Sequence, residues 1–152
     1  MSVERMYIAA AAGGELSEVQ QINLVAGAGI EGDRYFNVQK HAGQNITLVE
    51  AEEIEAFNAA FGVSYDLSCT RRNIVTRGTR LNELVGREFR IADVRLRGVE
   101  LCEPCSTLGA SLATADLEAK AVIKHFVHRA GLRADILSSG RIAIGDRVDS
   151  TA

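Results

Sequence analysis

The sequence predicts an α+β fold that is mostly β: an antiparallel sheet curled into a closed or partly open barrel, with helices packed outside it. Three observations carry this. Short runs rich in Val, Ile and Leu recur along the chain and are cut by glycines, 14 in 152 residues, as suits many short strands joined by tight turns. Only two segments show the 3.6-residue apolar period of a helix. The order (strands, helix, strands, helix, strands) lacks the regular βαβα alternation of a doubly wound parallel sheet.

Taken in order, residues 3–10, VERMYIAA, read as a strand closed by Gly13-Gly14, and residues 19–25, VQQINLV, as a second. The loop GAGIEGDRYF follows, with a turn expected at Gly32-Asp33, and NITLV at 45–49 is a third short strand. The first helix begins among Glu50, Glu52 and Glu53, acids that favour the positive end of the helix dipole. Ile54, Phe57 and Phe61 give it one apolar face, and Gly62 stands where a helix ends in the left-handed conformation. RNIVTRG, EFRIADV and VRLRGVEL return to strand, with one helical turn at Leu81–Leu84 between them. A second helix is expected over 112–130, with Val122, Ile123, Phe126, Val127 and Ala130 as its stripe and Asp116 paired to Lys120. DILSSGRIAIGDRV closes the chain as two strands around a turn.

The length favours a single domain, 1–152, with a core large enough to need no staples. A formal net charge of -3 argues against nucleic acid or a membrane surface as the main partner. No run approaches the roughly 20 apolar residues of a membrane span, and no secretory leader pattern opens the chain. Three cysteines without framework spacing point to a reducing cytoplasm. Of the 17 basic residues 14 are Arg, whose planar fork suits oxyanions, although codon bias gives the same excess.

The chemistry concentrates in a few stretches. LCEPCSTLG at 101–109 holds Cys102, Cys105 and the only proline, Pro104. Two thiols at this spacing can form a redox disulfide, bind a soft metal or carry a transferable sulfur. Equally, they can be small hydrophobes at a strand end. Zinc lacks its other ligands, since Cys69 is the only further thiol and the histidines lie far off at 41, 125 and 128. Cys69-Thr70-Arg71-Arg72-Asn73 precedes an apolar strand. Arg71, Arg72 and Asn73 there can hold an oxyanion, or simply end a solvated loop. Arg34 is placed to face the same site as Arg71. The loop G-x-G at 27–29 lacks the rest of a dinucleotide or P-loop fingerprint. His125 and His128 are explained by a helix C-terminus.

Together, GIEGDRYF at 29–36, RRNIVTRGTRLNELVGREFRIADVRLRG at 71–98, LCEPCSTL at 101–108 and GLRADILSSGRIAIGDRV at 131–148 resemble, in order and spacing, the blocks of the MOSC domain, named for the C-terminal part of molybdenum cofactor sulfurase. The resemblance implies a β-barrel with flanking helices in a stand-alone family member. It implies binding of a molybdenum cofactor (molybdopterin), sulfur carriage on a cysteine for transfer to a metal centre, or both. It carries the family's cysteine, as catalytic residue and metal ligand, onto Cys105, and its anion-binding Arg and Asn onto Arg71 and Asn73. Arg72 and Arg34 join them as cofactor-binding candidates. No stretch here resembles the pyridoxal phosphate-dependent desulfurase domain of the sulfurases, so the sulfur is expected from a separate cysteine desulfurase. The alternatives are a molybdoenzyme that reduces N-hydroxylated substrates with an electron-transfer partner, and a non-enzymatic cofactor-binding module. Oligomeric state is not legible.

Overall fold

The computed structural model describes residues 1–150; residues 151 and 152, the end of the expected domain, lie outside the described residues. The first strands are β1 (Ser2–Ile8), β2 (Ser17–Glu18), β3 (Gln21–Val25), β4 (Gly29–Ile30) and β5 (Ile46–Glu50), followed by helix α1 (Ala51–Phe61). β6 (Ile74–Arg77), a 3-10 turn at Leu81–Leu84, β7 (Glu88–Ile91) and β8 (Val94–Leu101) lead to α2 (Ser106–Leu112) and α3 (Ala119–Phe126). β9 (Leu132–Ile136), β10 (Gly140–Ala143) and β11 (Val148–Asp149) complete the order.

One large sheet runs β11-β7-β8-β9-β5-β6-β1-β2, and a smaller one runs β10-β3-β4. All pairings are antiparallel except β5 with β6, which are joined by α1 as a crossover. The large sheet curls until its distant strands meet. Val3 N–H donates to Asp146 O at 2.9 Å, Gly145 N–H to Val3 O at 2.8 Å and Val148 N–H to Met1 O at 3.0 Å. Mostly β, barrel-like and flanked by helices, the architecture matches the expected class.

The side-chain alternation of β5 explains the layering. Leu48 points into the barrel with Met6, Ile74, Phe89 and Leu132. The next residue, Val49, points outward and is covered by Ala51 and Ile54 of α1. A strand buried on both faces reads as a continuous apolar run, which is why ITLV shows little alternation. The other helices pack over a third cluster, Phe57, Cys102, Leu108, Leu112, Val122 and Phe126. Phe57 and Phe126 stack with ring centroids 4.9 Å apart; each is wholly buried, which contributes roughly 2–3 kcal/mol.

Two glycines allow backbone to meet backbone. A Cβ on Gly98 would sit 2.1 Å from Leu84 O, and one on Gly131 would sit 2.1 Å from Leu48 O. Gly131 also has φ +115, and its carbonyl accepts the Cys102 N–H at 2.8 Å, tying the cysteine loop to the start of β9.

Three sequence expectations need correction. The helix expected over 112–130 is two shorter helices, and the first begins earlier, at Ser106. Between them Thr114 pairs with Leu117 and its hydroxyl accepts the Asp116 N–H at 3.2 Å, so local polar bonds outcompete helix. Asp116 therefore lies outside α3 and does not pair with Lys120. The stripe is correspondingly shorter: Val127 lies beyond α3 and is exposed, although Val122 and Phe126 are buried. Finally, β9 and β10 do not form a hairpin, because β10 pairs with β3 in the other sheet. The serines between them bond apart: Ser138 Oγ accepts Arg95 N–H at 2.8 Å and Ser139 Oγ accepts Ala26 N–H at 2.9 Å. Elsewhere the expected elements are present, including the α1 terminus, where Gly62 adopts φ 64.

Candidate functional site

A cavity of about 470 Å³ opens where the segment before β6, the start of α2 and β9 converge. Arg34, Arg71, Arg72, Asn73 and Cys105 all line it, so the structure brings every candidate residue to one place. Among the further lining residues, Cys69, Thr70, Thr107 and Arg133 carry groups able to act on a ligand and were not candidates from sequence. Thr70 was within reach, inside the CTRRN stretch. Arg133 alternates with Asp135 along an apolar strand, which marks an outward face but does not say what the face meets.

Cys105 stands at the N-cap of α2 with extended backbone, and is exposed. The preceding strand and Pro104 deliver it there. It forms no capping hydrogen bond, yet the N–H groups at the open end of the helix favour negative charge. The Leu108 N–H chiefly, then the N–H and hydroxyl of Thr107 and the Arg72 guanidinium, hold its thiol below the ordinary value. Cys102 is its opposite. It is 1% exposed, packs with Phe57 and Phe126, and is pushed up by burial. Cys69 is half-buried, and burial together with Asp66 pushes it up to about 11. The C-x-x-C is thus an accessible thiol and a core side chain.

Consequently, alkylation of the native protein should be confined to Cys105 at neutral pH. Its rate should rise with pH through a midpoint below the 9.0 of an ordinary thiol, because the thiolate is the nucleophile. Cys69 should respond only toward pH 11. Peptide mapping of iodoacetamide adducts between pH 5 and 11 measures this; equal labelling of Cys102 and Cys105 at pH 7 would refute it.

The arginines differ in how the fold uses them. Arg34 donates from NH1 to Asp33 Oδ1 at 3.0 Å and from NH2 to Arg71 O at 3.1 Å. Asp33, itself buried, also accepts the Ala9 N–H at 3.1 Å. Gly32-Asp33 does form the expected turn, but its acid is also a structural anchor. Arg71 has φ 62, a left-handed conformation uncommon outside glycine and frequent at functional sites. Its NH2 donates to Gly14 O at 2.6 Å, while Arg72 Nε donates to Ala130 O at 3.0 Å. Carbonyl oxygens hold these two guanidinium groups without cancelling their charge. Among the described residues no Asp or Glu lines the cavity.

Asn73 is 3% exposed. Its Oδ1 accepts both the N–H and the hydroxyl of Thr47 at 3.1 Å, and its Nδ2 donates to Tyr7 O at 3.2 Å. It laces β1, β5 and β6 together and keeps one amide hydrogen to spare. Thr70, 4% exposed, has a buried Oγ1 with no hydrogen-bond partner. An orphaned hydroxyl on a cationic, acid-free wall is what a bound oxyanion would satisfy. The thiolate, arginines and hydroxyl therefore fit a cofactor bearing a phosphate and a thiophilic metal.

The histidines lie elsewhere. His125 packs edge-on against Phe57, Phe61 and Phe126, and burial, then Arg129, pushes its pKa down. His128 sits past the end of α3 with φ 61 and contacts Glu103. Among the described residues, no cluster of His, Cys, Asp and Glu could hold a metal ion, and no helix is long and apolar enough to cross a membrane.

The model of the MOSC domain matches residues 33–149. The crystal structure of YuaD from Bacillus subtilis superposes with a TM-score of 0.84 at 22% identity, covering 97% of this chain and 93% of that one. YiiM from Escherichia coli gives 0.72 at 15% identity, covering 100% and 70%. YiiM from Geobacillus stearothermophilus gives 0.73 at 14%, covering 99% and 75%. At these identities the likeness is one of fold. No curated protein sequence matches the chain.

Proposed function

The chain belongs to the MOSC domain family, and from that premise we propose that its cavity binds a molybdenum cofactor and that Cys105 is the working thiol, carrying sulfur for transfer to a metal centre. The observation that supports this most is the meeting of an accessible, acidified thiol with uncompensated guanidinium groups and an orphaned buried hydroxyl in one acid-free cavity.

The residues divide the work. Arg71, the Thr70 hydroxyl and the spare Asn73 amide hydrogen would hold the phosphate of the molybdopterin. Arg34 acts through its neighbour: its bond to the Arg71 carbonyl helps fix the left-handed backbone that aims the Arg71 side chain. When it bears no persulfide, Cys105 would offer its thiolate as a ligand to the molybdenum. When bound, that cofactor supplies the metal centre to which sulfur is delivered.

Loading needs a sulfane donor, which we assign to the persulfide of a cysteine desulfurase whose own pyridoxal phosphate does the carbon–sulfur chemistry. The Cys105 thiolate attacks the terminal sulfur of that persulfide. The donor's S–S bond breaks, the donor leaves as thiolate, and Cys105 becomes the persulfide with no net oxidation. The lowered pKa of Cys105 raises the fraction of attacking thiolate at neutral pH.

Protein purified from a host competent in cofactor synthesis should contain molybdenum and pterin in equal amounts, measured by elemental analysis and by pterin fluorescence after oxidation. An Arg71→Ala variant should lose about 1.5–3 kcal/mol of binding, the worth of a charge-assisted hydrogen bond, so that its affinity falls by about tenfold or more and less cofactor survives purification. Wild-type protein free of both molybdenum and pterin would sink the cofactor reading.

A further inference from the structure

The cavity has two cationic ends, and the cofactor reading uses only one. Arg71 is bonded to Gly14 O beside β1, with Arg34 behind it. Arg72 turns the other way, to Ala130 O just before β9. Arg133, on β9, lines the same cavity. Both Arg72 and Arg133 lie near enough to Cys102 to lower its pKa against the effect of burial, and Arg72 also acts on Cys105. The second pair therefore frames the cysteine loop.

The fold makes little use of this pair. Arg72 spends its Nε on Ala130, which leaves the two terminal nitrogens, the edge that grips an oxyanion with two parallel bonds. Arg133 touches Glu100 only at 3.8 Å, and its side chain is 41% exposed. A loose surface contact of this kind contributes close to nothing. Two guanidinium groups on one cavity wall repel each other unless an anion lies between them. Against a Cys105 thiolate, which itself repels anions, they restore attraction for a negative ligand.

Building on the cofactor reading, we infer that the cavity also takes a small-molecule anion beside Cys105, a carboxylate or phosphate held by Arg72 and Arg133. The neutral alternative, an uncharged ligand, leaves the two terminal nitrogens of Arg72 without an anion and Arg133 with only its loose Glu100 contact.

Two alkylating probes that differ in charge test this on cofactor-free protein. Iodoacetate carries a carboxylate next to its electrophilic carbon, and iodoacetamide an amide. In both, the thiolate forms the C–S bond and iodide leaves. The ratio of the iodoacetate to the iodoacetamide rate at Cys105 should exceed the ratio for free cysteine by about tenfold, the worth of one well-made charged contact. Arg133→Gln and Arg72→Lys should each lower the ratio several-fold, whereas Arg87→Gln, the same loss of charge as Arg133→Gln but at an exposed position beyond the cavity, should leave it alone. Because the iodoacetamide rate is measured in each variant, a distorted loop that slows both reactions cancels from the ratio, and a ratio unchanged by both substitutions overturns the inference. Slowing of the iodoacetate reaction by acetate marks a carboxylate site, and slowing by inorganic phosphate a phosphate site. A wild-type ratio equal to that of free cysteine, with protection by neither anion, overturns the inference. The cofactor reading stands or falls separately, on molybdenum and pterin content.

Discussion

A Cys105→Ser variant is expected to accept no sulfur while keeping its stability. Incubated with a cysteine desulfurase and free cysteine, the wild type should gain about 32 Da per sulfur as a persulfide, lost again on reduction, and the variant should gain nothing. Cys105 is exposed at the N-cap of α2, a position where serine accepts from the same N–H groups, so its replacement should change stability by no more than about 0.5 kcal/mol. Cys102→Ser should show the reverse pattern. Its hydroxyl would be placed among Phe57, Leu108 and Phe126, at a cost of about 1–3 kcal/mol for an unsatisfied buried polar group, while loading of the folded fraction continues. Intact mass and urea unfolding of both variants separate the two roles. Sulfur retained on the Cys105→Ser protein, or lost equally from both, would defeat the carrier assignment and favour a dithiol.

Gly131→Ala should be the most damaging single change away from the thiol. The φ of +115 is one that L residues rarely adopt, and the added Cβ would meet Leu48 O at 2.1 Å. The Leu48–Leu132 pairing of β5 with β9 begins at the next residue, and the Gly131 carbonyl holds Cys102. Relief therefore requires moving β9, the cysteine loop or both. A loss of at least about 3 kcal/mol is expected, a large share of a domain's usual 5–15 kcal/mol. The denaturation midpoint in urea should drop sharply, and Cys102 should become open to alkylation. An unchanged midpoint would show that the two backbones are not in contact.

What was legible in the sequence follows from the range of the interactions. Strands showed through their β-branched runs, and the first helix through Ile54, Phe57 and the glycine after it, all local signals. The break between α2 and α3 was not legible because it rests on Thr114 and Asp116 bonding the backbone, a contest with helix propensity that the apolar stripe conceals. The separation of β10 from β9 was hidden for a different reason: its partner, β3, lies more than a hundred residues earlier. At the site, the asymmetry of the two cysteines was suggested by family likeness and is explained physically by burial. That Asn73 binds three strands together, that Arg34 props Arg71, and that Arg133 reaches the cavity are all consequences of packing, to which composition and spacing are blind.

The meeting of Met1 and Val3 with residues 145–148 also bears on how the molecule acquires its shape. Nearly the whole chain separates the two sides of that seam. A contact of this span forms only after the intervening loop entropy has been surrendered, and folds dominated by such contacts assemble slowly for their size. On the ribosome, β1 can find β2 and β6 early, but the Met1–Val3 end of its β2-side edge stays open until residues 145–148 emerge. An unpaired edge is a template for association with other chains. The nascent protein is therefore most vulnerable to aggregation at the N-terminal end of β1, whose partner on that edge is synthesised more than 140 residues later.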